Sequence, residues 1–439
     1  MTGFTRILLV ISAILFSLPF TACKKQNEQR VKAMPEVTIS AARLQSDSIS
    51  LRKDTVYVIA SPLFRTAGQV LFIEAGTLVK VKNNIGISVS QGGRLISAGT
   101  ETEPVVFTSD ALMGSAGPTP ANGQNLWGGI SLSGAAGFNS GIISYTRIEF
   151  ATANGSAALS LSNIDSLTTI HHVQVSYAHT ASSFEFSGGN VNAKYLISFA
   201  ASPSDFLLTN GYKGRLQHAF AYRHPFFAGN NANIAGVYLQ GQTTFPSLSN
   251  FTVLGPDGQR TTTSKYNDTV KGFSGGRVAA LLVTGNAKFH IRNSVFTGFP
   301  KGGFYIDSRE SGLSLQNGES DFTFNIVHSL DSNRVFYIPS NLIPPFTARD
   351  FKGFMLQPQF GNQALMNTQS LAYKAPFEFD LNPDPTPSAG SIALSGADFS
   401  GPIFNHNFFT QTVHKGALGS GSWFGGWVNF RPLQTDYNN

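Results

Sequence analysis

The sequence predicts an all-β fold: a solenoid of the parallel β-helix kind, with three short strands in each coil. Three observations predict it. Short apolar runs recur, the breaks between them are loose glycine- and asparagine-rich turns, and an apolar-x-aromatic motif returns at coil length.

The runs are clearest between 69 and 108, at Val70–Ile73, Leu78–Val81, Ile85–Val89, Leu95–Ile96 and Val105–Phe107. Gly76-Thr77, Asn83-Asn84, Gly92-Gly93 and Gly99-Thr100 separate them. Branched residues suit a pleated, half-buried surface, and glycine supplies the positive φ that tight turns need. Hairpins would show two-residue turns flanked by strict alternation. Here the pattern recurs at coil length, so each strand should pair with its equivalent in the next coil.

The returning motif is Ile148-Glu149-Phe150, Val175-Ser176-Tyr177, Ile197-Ser198-Phe199 and Phe220-Ala221-Tyr222. Its aromatic positions are 27, 22 and 23 residues apart. At that spacing Phe150, Tyr177, Phe199 and Tyr222 should stack as one ladder along the solenoid axis. Residues 249–253, 292–296 and 322–326 read as degenerate coils. Stretches 256–276 and 338–363 show no strand repeat and read as insertions or side loops.

Gly92-Gly93-Arg94-Leu95, Ala98-Gly99-Thr100, Pro104-Val105-Val106-Phe107-Thr108 and Trp127-Gly128-Gly129-Ile130 resemble the opening coils of right-handed parallel β-helix proteins. Within that class they are similar to surface lipoproteins of Bacteroidota type. The resemblance is strongest over 55–150 and continues to about 330. It implies the fold and says little of function, because one solenoid hosts many tasks.

Composition narrows the function classes. Charged residues are 13% of the 439, about half the roughly 25% typical of soluble domains. Lys and Arg number 31 against 25 Asp and Glu, an excess too dilute for a nucleic-acid-binding stripe. One cysteine excludes a disulfide framework.

That cysteine ends an export signal. Arg6 gives a positive start, and Ile7 to Phe20 form an apolar stretch about 21 Å long as helix, short of the ~30 Å hydrocarbon core. A cleaved signal is therefore expected. Phe20-Thr21-Ala22-Cys23 looks like a lipobox, which implies a lipid on Cys23. The expected organisation is a signal peptide over 1–22, a polar tether over 23–50, the β-helix over 51–375, and a C-terminal cassette over 376–439. The location implied is an outer membrane or cell surface.

The cassette begins with Pro383, Pro385 and Pro387, read as an extended linker because proline donates nothing to a ladder. Trp423 and Trp427 follow. They are expected to cap the exposed last coil, with a sugar-stacking platform as the alternative.

Candidates for chemistry are few. Asp165, Glu185 and Asp205 fall 20 residues apart. Aligned on successive coils they would lie ~5 or ~10 Å apart, the range of a glycosidase pair. A lyase alternative would add Ca²⁺; otherwise no cofactor is expected. His171 and His172, adjacent on a strand, should point to opposite faces and hold no metal. A basic cluster of Lys213, Arg215, His218, Arg223 and His224 lies beside Tyr222 in an acid-free stretch. It could hold an anionic polysaccharide.

These features favour a lipid-anchored, monomeric, non-enzymatic module that binds glycan or another surface partner. A structural or adhesive spacer and a polysaccharide lyase or glycoside hydrolase are the alternatives.

Overall fold

Runs of branched and aromatic residues between loose turns can pair only with their equivalents one coil away, and that is the pairing observed. The computed structural model describes residues 34–112, 126–152, 154–178, 180–223, 233–255, 277–343, 347–376 and 383–437. The fold is a right-handed parallel β-helix with three-sided coils. A ten-stranded parallel sheet, running from Leu63–Arg65 to Phe336–Tyr337, makes one side. A seventeen-stranded sheet makes the other two.

The two sides of the larger sheet share bent strands, which include Gly141–Glu149, Thr169–Ser176, Ala193–Phe199, Arg215–Tyr222 and Ser247–Leu254. Each bends at one left-handed residue: Tyr145 (φ 44°), His172 (52°), Tyr195 (58°), His218 (56°) and Asn250 (55°), with Asn293 (56°) and Phe324 (57°) continuing the column. Asparagine tolerates this conformation, whereas a larger side chain is held there at a cost of roughly 1–2 kcal/mol. Ring stacking offsets that cost at the corner. Tyr145 lies 4.3 Å from His172, His172 4.4 Å from Tyr195, and Tyr195 5.1 Å from His218, centroid to centroid. Gly141 (φ 121°) starts the first bent strand, where an added Cβ would meet the Leu95 carbonyl at 1.9 Å.

Inward residues stack in columns. On the ten-stranded sheet one column runs Ile87, Ile130, Leu159, Phe184, Phe206, Val237, Leu281 and Phe304, all buried. Removing such side chains from water, at about 25 cal/mol per Å² of apolar surface, is the main stabilising term. The N-terminal end is closed by α1 (Ala41–Leu44), whose Leu44 joins the core. Buried Arg65 donates to the carbonyls of Leu44 and Ser46 beneath it. Helix α2 (Arg309–Gln316) packs Leu315 inward. At the far end α3 (Ala348–Met355) inserts Phe351 and Met355.

Several sequence expectations change. Parallel pairing begins at Glu36–Thr38, ahead of residue 51, and rungs continue to Gln363–Leu365. Residues 249–253, 292–296 and 322–326 lie within true rungs. Segment 338–363 holds α3, and 256–276 lies outside the described residues. The aromatic ladder forms, but not in one column. Ser176 pairs with Phe199, and Phe199 with Tyr222, so the column steps by one residue. Phe150 and Tyr177 are left-handed (φ 59° and 60°), which swings their rings into line with Phe199 and Tyr222.

The proline segment is not a free linker. Asp384–Pro387 pairs antiparallel with Tyr373–Ala375, and Asp384 accepts the Thr386 amide proton that the ladder leaves over. Nor does the cassette cap the last coil. Residues 397–437 run back along the outer face of the larger sheet as a strap. Asp398 meets Asn293, Thr410 meets Gln217, Asn429 meets Gln174, and Tyr437 meets Glu149. Phe424 and Phe430 pack on Phe199, Phe220 and Tyr222, and Trp427 on Tyr145 and His172.

Candidate functional site

The three carboxylates do not converge. Asp205 is fully buried and paired with Arg223 at 2.6 Å, and it also accepts from Ser198 at 2.6 Å. Burial pushes its pKa above the ordinary carboxylate value, against the pull of Arg223. Glu185 stands outward on Phe184–Ser187, one column away, opposite Leu207 rather than Asp205. Burial raises its pKa too. Asp165 sits in a turn and accepts from the amides of Gly137 and Leu167, which lowers its pKa. Equal spacing in sequence fails because turn lengths differ from coil to coil.

The basic cluster also separates. Arg223 is inside, donating to the carbonyls of Ala201 (2.8 Å) and Ala235 (3.0 Å) as well as to Asp205. Tyr222 is buried under the strap, and His218 is only 4% exposed. Lys213 is exposed and Arg215 half-buried; His224 and Cys23 lie outside the described residues. Among the described residues no continuous cationic surface joins this cluster.

His171 and His172 do not point apart. The left-handed backbone at His172 turns both rings to one side, with the two Nδ1 atoms 2.9 Å apart. Burial, reinforced by the neighbouring ring, lowers the pKa of His172 to about 4. Among the described residues no group of three or more His, Cys, Asp or Glu is placed to hold a metal ion. Trp427 is buried and Trp423 partly so, their edges against Tyr145, His172 and Tyr195. They secure the strap and offer no open platform.

With the strap covering the outer face of the larger sheet between the rungs of Glu149 and Asn293, the ten-stranded sheet is the other broad surface. Its outward residues form two ranks. One is Ser88, Ser131, Ser160 and Glu185 in successive register. The other is Ser133, Ser162, Ser187 and Thr209. The hydroxyls of Ser88, Ser131, Ser133, Ser160 and Ser162 make no side-chain hydrogen bond among the described residues, whereas Ser187 accepts from Asn210 at 2.8 Å. Rungs ~4.8 Å apart make this a flat hydroxyl lattice with one carboxylate at its margin.

The profile of the pectate-lyase-like β-helix domain matches residues 43–335. The chain belongs to that family. No curated protein and no solved structure matches it. The pectate-lyase-like β-helix domain begins within α1 and ends one residue before the last strand of the ten-stranded sheet. Both hydroxyl ranks are inside it, while the strap lies beyond it.

The ranks had a signal in the sequence. Ser88-Val89-Ser90, Ser131-Leu132-Ser133 and Ser160-Leu161-Ser162 each alternate polar with apolar, which puts both serines of a triplet on one face. What the sequence hides is that these triplets share one register.

Proposed function

We propose that this pectate-lyase-like β-helix protein is exported, held at an outer membrane or cell surface through a lipid on Cys23, and binds a glycan without turning it over. The observation that carries the binding reading is the pair of hydroxyl ranks on the open face. A serine hydroxyl both donates and accepts, so it can match sugar hydroxyls in either orientation. A rank spanning several coils suits a polymer better than a small molecule.

The ranks carry one charge, Glu185, so the ligand expected is a neutral polysaccharide. Among the described residues the anionic alternative rests on Lys213 and Arg215, because Arg223 and His218 are buried. The acids speak for binding over turnover: Asp205 is held by Arg223, Asp165 serves a turn, and Glu185 stands alone. Affinity electrophoresis through neutral and through uronate- or sulfate-bearing polysaccharides tests this. Retardation by a neutral polymer with no release of reducing ends is expected; chain cleavage, or retardation by the anionic polymers alone, would overturn it. The intact mass of the membrane-bound protein tests the lipid on Cys23.

A further inference from the structure

We infer that the N-terminal end of the solenoid is a membrane-docking surface, which sets the β-helix end-on against the bilayer that anchors it. This rests on the reading that Cys23 carries a lipid.

The end is unusually apolar at its rim. Phe64 is 59% exposed, standing outward on the first strand of the ten-stranded sheet between buried Leu63 and Arg65. Phe72 is 42% exposed, outward between buried Leu71 and Ile73 on the second rung of another side. Val37 heads the inward column of Tyr57, Val79 and Phe107 among the described residues, and is 41% exposed. Met34 beside it is 46% exposed. Outward aromatics contribute nothing to the core, and a serine at the same column on the next rung, Ser88, shows that the fold does not require one.

Depth and reach both fit. Rungs are ~4.8 Å apart, so all four residues lie within about two rungs of the end. An interfacial element buries its apolar side by ~5–10 Å. Between Cys23 and Met34 lie ten residues, and a chain of that length spans at most about 40 Å. The tether therefore keeps this end near the membrane. The opposite end also exposes apolar side chains, Leu356 at 37% and Met366 at 76%, but it is a whole solenoid away from the tether. Around the docking end Arg43, Arg52 and Lys53 are balanced by Glu36, Asp47 and Asp54. The end itself therefore docks by its apolar residues and needs no anionic lipid, while the tether, with Lys24, Lys25, Arg30 and Lys32 against Glu28, adds to binding where anionic lipid is present.

The test places tryptophan at either end of the full-length protein, as Phe64→Trp and Met366→Trp. Each variant is bound to phosphatidylcholine vesicles with brominated acyl chains, and to others containing phosphatidylglycerol. Emission above the parent protein should be quenched by about half or more at position 64, in both vesicle types, and untouched at 366. Equal accessibility of the two positions overturns the inference. Flotation with the vesicles reports the lipid separately. Should Cys23 prove unmodified, coupling its thiol to a maleimide lipid restores the tether, and the same comparison of 64 with 366 decides the docking surface alone.

Discussion

Gln174 and Asn429 exchange two hydrogen bonds across 255 residues of chain: Gln174 Nε2 donates to the Asn429 carbonyl at 2.7 Å, and the Asn429 amide donates to Gln174 Oε1 at 2.8 Å. The side-chain amide reproduces a peptide group, so the strap is read through its backbone. Gln217 does the same with Thr410 (2.7 and 2.8 Å), and Asn293 with Asp398 (2.9 and 2.8 Å). Three amide clamps thus fasten the strap to three different coils.

Breaking one clamp should loosen the strap and leave the solenoid standing. Gln217→Leu removes both hydrogen bonds to the part-buried Thr410 backbone, at a cost of about 0.5–1.5 kcal/mol each. Hydrogen exchange should accelerate over 397–437 and stay slow in the columns of the ten-stranded sheet. Uniform acceleration throughout would show that strap and coils unfold together.

The Asp205–Arg223 pair is buried at both members. Arg223→Met strands a carboxylate inside and should cost about 3–5 kcal/mol. Adding Asp205→Leu should recover most of that loss in denaturant titrations. A double variant no more stable than Arg223→Met would refute the pairing account.

His218 sits between the corner stack and the strap, facing Tyr195 at 5.1 Å, His414 at 6.2 Å and Lys194. Burial, then the His414 and Lys194 charges, lower its pKa to about 3. The unfolded chain takes up this proton near pH 6.5 and the folded protein only near pH 3. Stability is therefore fully present above pH 6.5 and falls as pH drops towards 3. His218→Asn, which suits the left-handed corner as Asn250 does one coil on, should flatten the dependence of Tm on pH across that window. An unchanged slope would assign it to other groups.

Tyr437 donates to both oxygens of buried Glu149, at 2.7 and 2.9 Å. Tyr437→Phe removes the donor and leaves the carboxylate to Arg147, 3.7 Å away. A loss of about 1.5–3 kcal/mol is expected by calorimetry, as for hydrogen bonds to charged groups.

Much of this fold is legible in the sequence, because alternation and turn chemistry are local. The rungs at 70–73 and 78–81, and residues 105–107 of the rung Val105–Ser109, are readable from branched residues between glycines. The corner is not, since nothing local announces that Tyr145, His172 and Tyr195 turn left-handed; stacking between coils stabilises it. The same turn defeats the expectation that His171 and His172 oppose each other. Arg223 reads as a surface cation until Asp205, a coil earlier in the chain, is seen beside it. The strap's course is not legible in the sequence, because its partners, Gln174 and Gln217, are polar residues indistinguishable there from solvent-facing ones.

The most direct measurement of the central claim is glycan retardation after the hydroxyl ranks are obstructed. Ser131→Arg with Ser160→Arg places long side chains across the open face while leaving the inward Leu132 and Leu161 in place. Lys213→Glu with Arg215→Glu alters the neighbouring charge instead. Loss of retardation by a neutral polysaccharide in the first variant, and its retention in the second, is the result this account predicts. Undiminished binding by the first variant would contradict it.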